Sequence, residues 1–233
     1  MKLGVIGGLG PLATAYFYEL LTKMSDVKYD QEHLETIIYS VPSIPDRTGY
    51  ILGHSKENPV EKMVEVARLL ESQGVDCIAI PCITAHYFHD VLSASINVPI
   101  IHLVEEVGNY FEQAGIEHAG IMATDGTLSS QLFQKELHKR NIKTCIPVHQ
   151  EDVMHIIYNN VKASCDIEMD RFSRVSNELF EQGAKKIILG CTELSIVKKE
   201  KHLDDRYLDA MELLAYVALK KCNMPIKKEY EFL

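Results

Sequence analysis

Short apolar runs closed by glycine, proline or polar residues alternate along this chain with longer segments whose apolar residues recur every three or four positions. The runs are Leu3–Ile6, Thr36–Tyr39, Cys77–Ile80, Ile100–Ile101, Ala119–Met122, Lys143–Ile146 and Ile187–Leu189. Short runs without polar alternation suit strands buried on both faces of a parallel sheet. The helical segments are Leu12–Met24, Pro59–Gln73, Ser129–Arg140, Glu151–Lys162, Asp170–Gln182 and Tyr207–Lys221. In the second of these, Val60, Met63, Val64, Ala67 and Leu70 form one apolar stripe. Strand–helix alternation predicts an α/β fold with parallel sheets.

The pattern also repeats. A strand followed by Gly7-Gly8-Leu9-Gly10-Pro11 opens the first half, and a strand followed by Ala123-Thr124-Asp125-Gly126-Thr127 opens the second. Later, Gln73-Gly74 leads through an apolar run to Cys82-Ile83-Thr84, and Gln182-Gly183 leads through another to Cys191-Thr192. Each time a helix ends at glycine, a buried strand follows, and a cysteine with a threonine comes just after it. The expectation is two pseudo-symmetric domains, each a mainly parallel sheet flanked by helices, with an active-site cleft between them. The first domain is expected over 1–98 plus 207–233, the second over 99–206, with the change near Val98–Ile101.

Composition narrows the function. With 46% hydrophobic residues in 233, a full core can form. A formal net charge of −9 argues against a nucleic-acid or anionic-membrane surface, since both require clustered Lys and Arg. Leu3–Ile6 is broken at once by Gly7 and Gly8, so no export signal is read there, and no window approaches the roughly 18 apolar residues of a spanning helix. The expected location is the cytoplasm. Six cysteines without a CxxC pair are then not a disulfide framework. Alone, each reads as a small buried hydrophobe.

Cys82 and Cys191 rise above that reading because of where they fall. Open α/β sheets hold their ligands where a strand ends and a helix begins. There the helix dipole and free N–H groups favour a thiolate and lower a thiol pKa of about 8.5. Thr84, Thr192 and neighbouring N–H groups suit a substrate carboxylate. Two thiols on opposite faces of one Cα are a general base and a general acid, the arrangement that racemisation needs.

Four motifs then resemble the aspartate racemase family of the Asp/Glu/hydantoin racemase group. They are Met1–Pro11, Ile44-Pro45-Asp46-Arg47-Thr48, Ile80-Pro81-Cys82-Ile83-Thr84-Ala85-His86-Tyr87 and Gly190-Cys191-Thr192-Glu193-Leu194, in the family's order across nearly the whole chain. The resemblance implies L-/D-aspartate interconversion without pyridoxal phosphate or any other cofactor, and a homodimer. It implies that Cys82 and Cys191 are the acid/base pair, and that Arg47 binds a substrate carboxylate. Lys162 resembles the basic residue for the other carboxylate. Thr84, Thr124, Thr127 and Thr192 match positions near the α-carboxylate or amino group. Gly10 lies in the loop that brings backbone N–H groups to a small anion. Glu193 is read either as a first-turn acid or as an orienter of the substrate ammonium. Ile83 departs from the family, which usually has Asn there. Ile83 can neither donate nor accept, so glutamate or other amino acids, a related reaction of a small diacid, and silent diacid binding stand as alternatives to aspartate.

Other patterns weigh less. Gly8-x-Gly10-x-x-Ala13 fits a dinucleotide loop, but Ile38-Tyr39-Ser40 lacks the acid that grips a ribose. His86-x-x-His89-Asp90, with His102 after the next strand as a further candidate, suggests a metal. The remaining ligands are not fixed, so packing or surface histidines are read. No GxSxG elbow occurs. Lys227–Glu231 reads as a solvated tail.

Overall fold

The computed structural model describes residues 1–230; the end of the expected first domain and Glu231 of the tail lie outside the described residues. The chain divides into two compact units. One is Met1–Leu103 with the C-terminal segment that starts at Met211, and the other is Val104–Ala210.

In the first unit, β1 (Lys2–Gly7) leads to α1 (Pro11–Met24), β2 (Glu35–Ser40), α2 (Arg47–Ile51), α3 (Val60–Ser72), β3 (Cys77–Ala79), a 3-10 helix (Ile83–Phe88) and α4 (His89–Ser93). The sheet is parallel in the order β2-β1-β3, with Val5 opposite both Ile38 and Ala79. Leu3, Val5 and Ile6 of the central strand are fully buried. Against them α3 turns the stripe read from its spacing: Met63, Ala67 and Leu70 are buried, while Val60 and Val64 pack at its margin. Each such fully buried side chain contributes roughly 1.5–3 kcal/mol.

The glycine loop after β1 has a packing reason. Val41, just past β2, donates its N–H to Gly7 O at 3.1 Å. A Cβ on Gly8, whose φ is +84°, would stand 2.4 Å from Val41 N. Only glycine accepts both that backbone and that conformation.

In the second unit, α5 (Leu103–Gln113) precedes β4 (His118–Ala123), α6 (Asp125–Ser130), α7 (Leu132–Lys139), β5 (Lys143–Cys145), α8 (Gln150–His155), a π-helical turn (Ile156–Val161), α9 (Met169–Glu181), β6 (Lys186–Gly190), α10 (Thr192–Lys201) and β7 (Tyr207–Asp209). Its parallel sheet runs β5-β4-β6-β7. The first three strands repeat the order of the first unit, with β4 central as β1 is. The repeat read along the chain is thus a repeat of topology. Finally α11 (Ala210–Lys221) carries the chain back into the first unit.

Several boundaries differ from the sequence pattern. Ile100–Ile101 makes only a bridge at Ile78, because Ile78 N–H goes to Pro99 O and Ile101 N–H returns to Ile78 O. Tyr207–Asp209 is a strand rather than the first turn of the last helix. Its three residues are buried and pair with Ile187–Leu189, and burial in the sheet overrides a period that happens to continue into α11. The segment 129–140 is broken at Gln131, which is left-handed at φ 57° and caps both α6 and α7. Among the described residues no helix is long and apolar enough to cross a membrane.

Candidate active site

Both cysteines occupy the same place in their units. Val5 pairs with Ala79 and Ala123 pairs with Gly190, so β1 and β3 finish on one edge of the first sheet and β4 and β6 on one edge of the second. Cys82 caps the 3-10 helix with φ −152° and ψ 106°, and Cys191 caps α10 with φ −147° and ψ 140°. Each is extended, each is 7% exposed, and each offers its carbonyl to the N–H three residues on, at 3.1 Å to Ala85 and 3.0 Å to Leu194.

In the first unit the same edge carries the glycine loop and Arg47. Gly10 caps α1 at φ 125°, and its carbonyl accepts from Thr14 N–H at 2.9 Å and Thr14 Oγ1 at 3.0 Å. Arg47 is not in an open loop, as its turn-rich surroundings suggest. It is the first residue of α2, which Asp46 caps through Gly49 N–H at 2.6 Å. Its guanidinium is clamped by carbonyls: Nη1 donates to Ile44 O at 3.3 Å and Pro45 O at 3.0 Å, and Nη2 to Leu9 O at 3.1 Å. The Nε–H is buried and meets no hydrogen-bond acceptor among the described residues. Five N–H groups less these three leave Nε–H and one Nη2–H, the side-on fork that fits a carboxylate. The Leu9 bond ties Arg47 to the glycine loop beside Gly10.

Cys82 itself lies in an apolar cluster with Ile6, Leu9, Ile44, Ala85 and Phe88. Ile83 is 2% exposed and Thr84 is buried. Behind them His86, His89 and His102 come together, with the His89 and His102 rings 4.0 Å apart. Their spacing in sequence predicts ordinary packing or surface histidines, with His102 as a further approach; the structure gathers all three. His86 is buried, and its ring accordingly stays neutral. Burial, then His102 and His89, push its pKa down to about 3. Its Nε2 lies 3.2 Å from Ile80 O, an acceptor only, so Nε2 carries the hydrogen and ties the 3-10 helix back to the strand end. Among the described residues no group of three or more His, Cys, Asp or Glu is arranged to hold a metal ion.

The second unit surrounds its cysteine differently. The Cys191 thiol donates to Glu193 Oε2 at 2.8 Å, and Thr192 Oγ1 donates to the same oxygen at 3.2 Å. Lys162 Nζ stands 3.9 Å from the other carboxylate oxygen and 4.0 Å above the Tyr158 ring. The π-helical turn that ends at Val161 places Lys162 here, and it packs on α10. Such turns are frequent at functional sites. Thr124 follows β4 as Cys191 follows β6. It caps α6 by accepting from Thr127 N–H at 3.3 Å, and the two hydroxyls are 3.2 Å apart.

This setting overturns one expectation. A helix N-terminus was expected to lower the thiol pKa. At Cys191 burial, then the Glu193 charge and the S–H bond to it, push the thiol well above its usual range, with Lys162 opposing. The local carboxylate and the loss of water outweigh the helix end.

Sequence reasoning missed the supports. Gln150 Nε2 donates to Ala123 O and Asp125 Oδ1, both at 2.9 Å, and so braces the turn that carries Thr124. Ser195 Oγ donates to buried Asp209 at 2.6 Å, fixing α10 against β7. The Asp209 signal was an acid between the apolar residues Leu208 and Ala210; Gln150 had none. A cavity of about 660 Å³ lined by His118, His138, Lys143 and Gln182 lies at the opposite edge of the second sheet and holds none of these residues.

The family model described as Asp/Glu/Hydantoin racemase matches residues 6–218. The Picrophilus torridus aspartate racemase structure is 30% identical, with TM-score 0.87, over 99% of this chain and 98% of that one. The broad specificity amino-acid racemase RacX of Bacillus subtilis is 26% identical over 220 residues, 91% of this chain and 94% of that protein. The Francisella tularensis glutamate racemase, solved with D-glutamate, is 20% identical with TM-score 0.67 over 98% of this chain and 84% of that one; it shares the fold.

Proposed function

The chain belongs to the Asp/Glu/Hydantoin racemase family and is an amino-acid racemase, and from that premise we propose that it interconverts L- and D-aspartate by two-base proton transfer without pyridoxal phosphate. The observation that carries this reading is the equivalence of the two cysteine turns: in two sheets of like order, a buried cysteine stands at the same strand end and caps a helix.

One thiolate removes the α-proton and the other thiol returns a proton to the opposite face; the reverse reaction exchanges the roles. When Cys82 is the base, Cys191 is already the proton donor, since its thiol is held protonated. When Cys191 is the base it acts as the thiolate that its own donation leaves, so the reverse reaction begins from the protonation state in which the forward one ends. Glu193, which accepts the hydrogen bond of the Cys191 thiol, holds that thiol in place and protonated, and so does more than a first-turn acid. The side-on fork of Arg47 holds one substrate carboxylate, and Lys162 the other. Thr84, Thr124, Thr127 and Thr192, with the N–H groups after Gly10, line the anionic and ammonium positions. Hydrogen bonds to the α-carboxylate take up charge as the α-carbon loses its proton.

Ile83 supports a second reading. It is an apolar, buried side chain where the family usually has a polar one, and RacX is described as broad in specificity. A panel of amino acids separated by chiral chromatography tests both. Aspartate racemisation at the highest rate, unchanged by hydroxylamine treatment that strips pyridoxal phosphate, is the expected result. Faster turnover of non-acidic amino acids establishes the broad reading, and no turnover of any leaves a diacid binder. The working form is proposed to be a cytoplasmic homodimer, in keeping with six unpaired cysteines; sedimentation of the reduced protein checks the dimer.

A further inference from the structure

Two cysteines outside the racemase chemistry touch each other. Cys77 opens β3 and Cys222 follows α11, 145 residues away, and their sulfurs are 3.5 Å apart. Both are 3% exposed. The contact joins the C-terminal helix to the base of the strand whose other end leads through Ile80 and Pro81 to Cys82. Cys222 also lies by the start of the chain, where Asn223 Nδ2 reaches Met1 Sδ at 3.5 Å.

We propose that Cys77 and Cys222 are a redox pair that closes to a disulfide when the folded protein meets a small peroxide, clamping the C-terminal helix to β3.

The sulfurs are in contact without bonding, and closing the bond brings them from 3.5 Å to the roughly 2.05 Å of a disulfide. The pair is also electronically unequal. Its hydrogen bond to Cys222, with burial, pushes the Cys77 thiol up, while the same bond, helped by the chain's amino terminus, pulls Cys222 down. Cys222 is therefore the sulfur that ionises first, and the thiolate is the nucleophile. Its thiolate attacks one oxygen of hydrogen peroxide, the O–O bond breaks, and the departing hydroxide takes the proton that Cys222 gave up and leaves as water. The product at Cys222 is a sulfenic acid. The Cys77 sulfur then attacks that sulfur as its own proton leaves. An S–S bond forms, the S–O bond breaks, and a second water is released. The two thiols lose two electrons and two protons, and the peroxide is reduced to two waters. Cys145 and Cys165 have no cysteine partner in contact among the described residues, and Cys165 is exposed, so it reports simple oxidation in the same sample.

The test uses the whole, reduced, native protein. It is exposed briefly to hydrogen peroxide, unfolded in the presence of N-ethylmaleimide, digested and examined by mass spectrometry. The expected product is a cross-linked peptide joining Cys77 to Cys222, lighter by two hydrogens than its parts and lost on treatment with dithiothreitol. The oxidised protein melts at a higher temperature than the reduced one, and dithiothreitol reverses the shift, because the bridge restrains the unfolded chain. Cys222→Ser abolishes both signals while Cys165 still oxidises. Recovery of Cys77 and Cys222 as the maleimide adducts, at a peroxide dose that has oxidised Cys165, overturns the proposal. So does a cross-link that forms equally well when peroxide is added to the protein in urea.

Discussion

The turn after β3 and the turn after β6 hold the same residue in the same backbone conformation, yet they give it different company. Cys82 is followed by Ile83 and Thr84 and sits among apolar side chains, with three histidines gathered behind its helix. Cys191 is followed by Thr192 and Glu193, and its thiol is bonded to a carboxylate that faces Lys162. A duplicated fold fixes where a thiol stands. The two residues after it decide how that thiol holds its proton. Arg47 and Lys162 carry the same contrast: Arg47 is clamped by three backbone carbonyls, while Lys162 is half-exposed over an aromatic ring.

Removing either thiol breaks the comparison most severely. Cys82→Ala and Cys191→Ala are each expected to lower racemisation in both directions by about 10³-fold, within the range for losing a positioned acid or base. Chiral chromatography from each enantiomer reads this out. If one variant keeps near-full rates, the two turns are not equivalent in use.

Glu193→Gln sharpens the contrast. Racemisation is expected to fall by about 10- to 100-fold, for loss of one assisting group. At the same time Cys191 becomes more acidic, since the carboxylate charge that raises its pKa is gone. The pH dependence of Cys191 alkylation checks this. A merely structural role for Glu193 predicts slower turnover with no shift of that profile to lower pH.

The first unit has its own pH signature. His86 has a folded pKa of about 3, against an unfolded value near 6.5. Its contribution to stability is whole above about pH 6.5 and is lost progressively as pH falls from there toward 3. Between pH 7 and pH 5 the loss is about 2 kcal/mol. Urea unfolding at the two pH values, compared with the same pair for His86→Gln, isolates the share of His86. A variant with the same pH dependence as the parent contradicts the assignment.

Ile83→Asn has the smallest expected effect on rate. Aspartate racemisation rises several-fold if the missing amide is what limits it, while stability drops by about 1–3 kcal/mol for an amide placed among apolar neighbours. Initial rates and urea midpoints measured together separate the two.

Much of this arrangement was legible in the chain. Short buried strands announced β1, β3, β4 and β6 because parallel strands covered on both faces need apolar residues throughout. The glycine-led approach to each cysteine marked the strand ends. Tyr207–Asp209 was not legible as a strand, because its residues continue the period of α11 and only pairing with β6 makes them a strand. The three-histidine cluster was half-legible: His86 and His89 are near in sequence, but Ile100 must bridge to β3 before His102 reaches them. The raised pKa of Cys191 was misjudged because Glu193 was read for its place in the helix rather than for its reach to the sulfur. The motif singles out Arg47, but nothing in the sequence shows that three of its N–H groups already have partners.

The central claim is that both cysteines carry the α-proton. Proton NMR of L-aspartate and of D-aspartate with the reduced protein in deuterated water tests it most directly, with Cys82→Ala and Cys191→Ala measured alongside. The expected result is loss of the α-proton signal from each enantiomer as the other appears carrying deuterium, with neither variant racemising. Racemisation that survives in either variant, or product that retains the original hydrogen throughout with no exchange into solvent even on prolonged incubation, contradicts the two-thiol account.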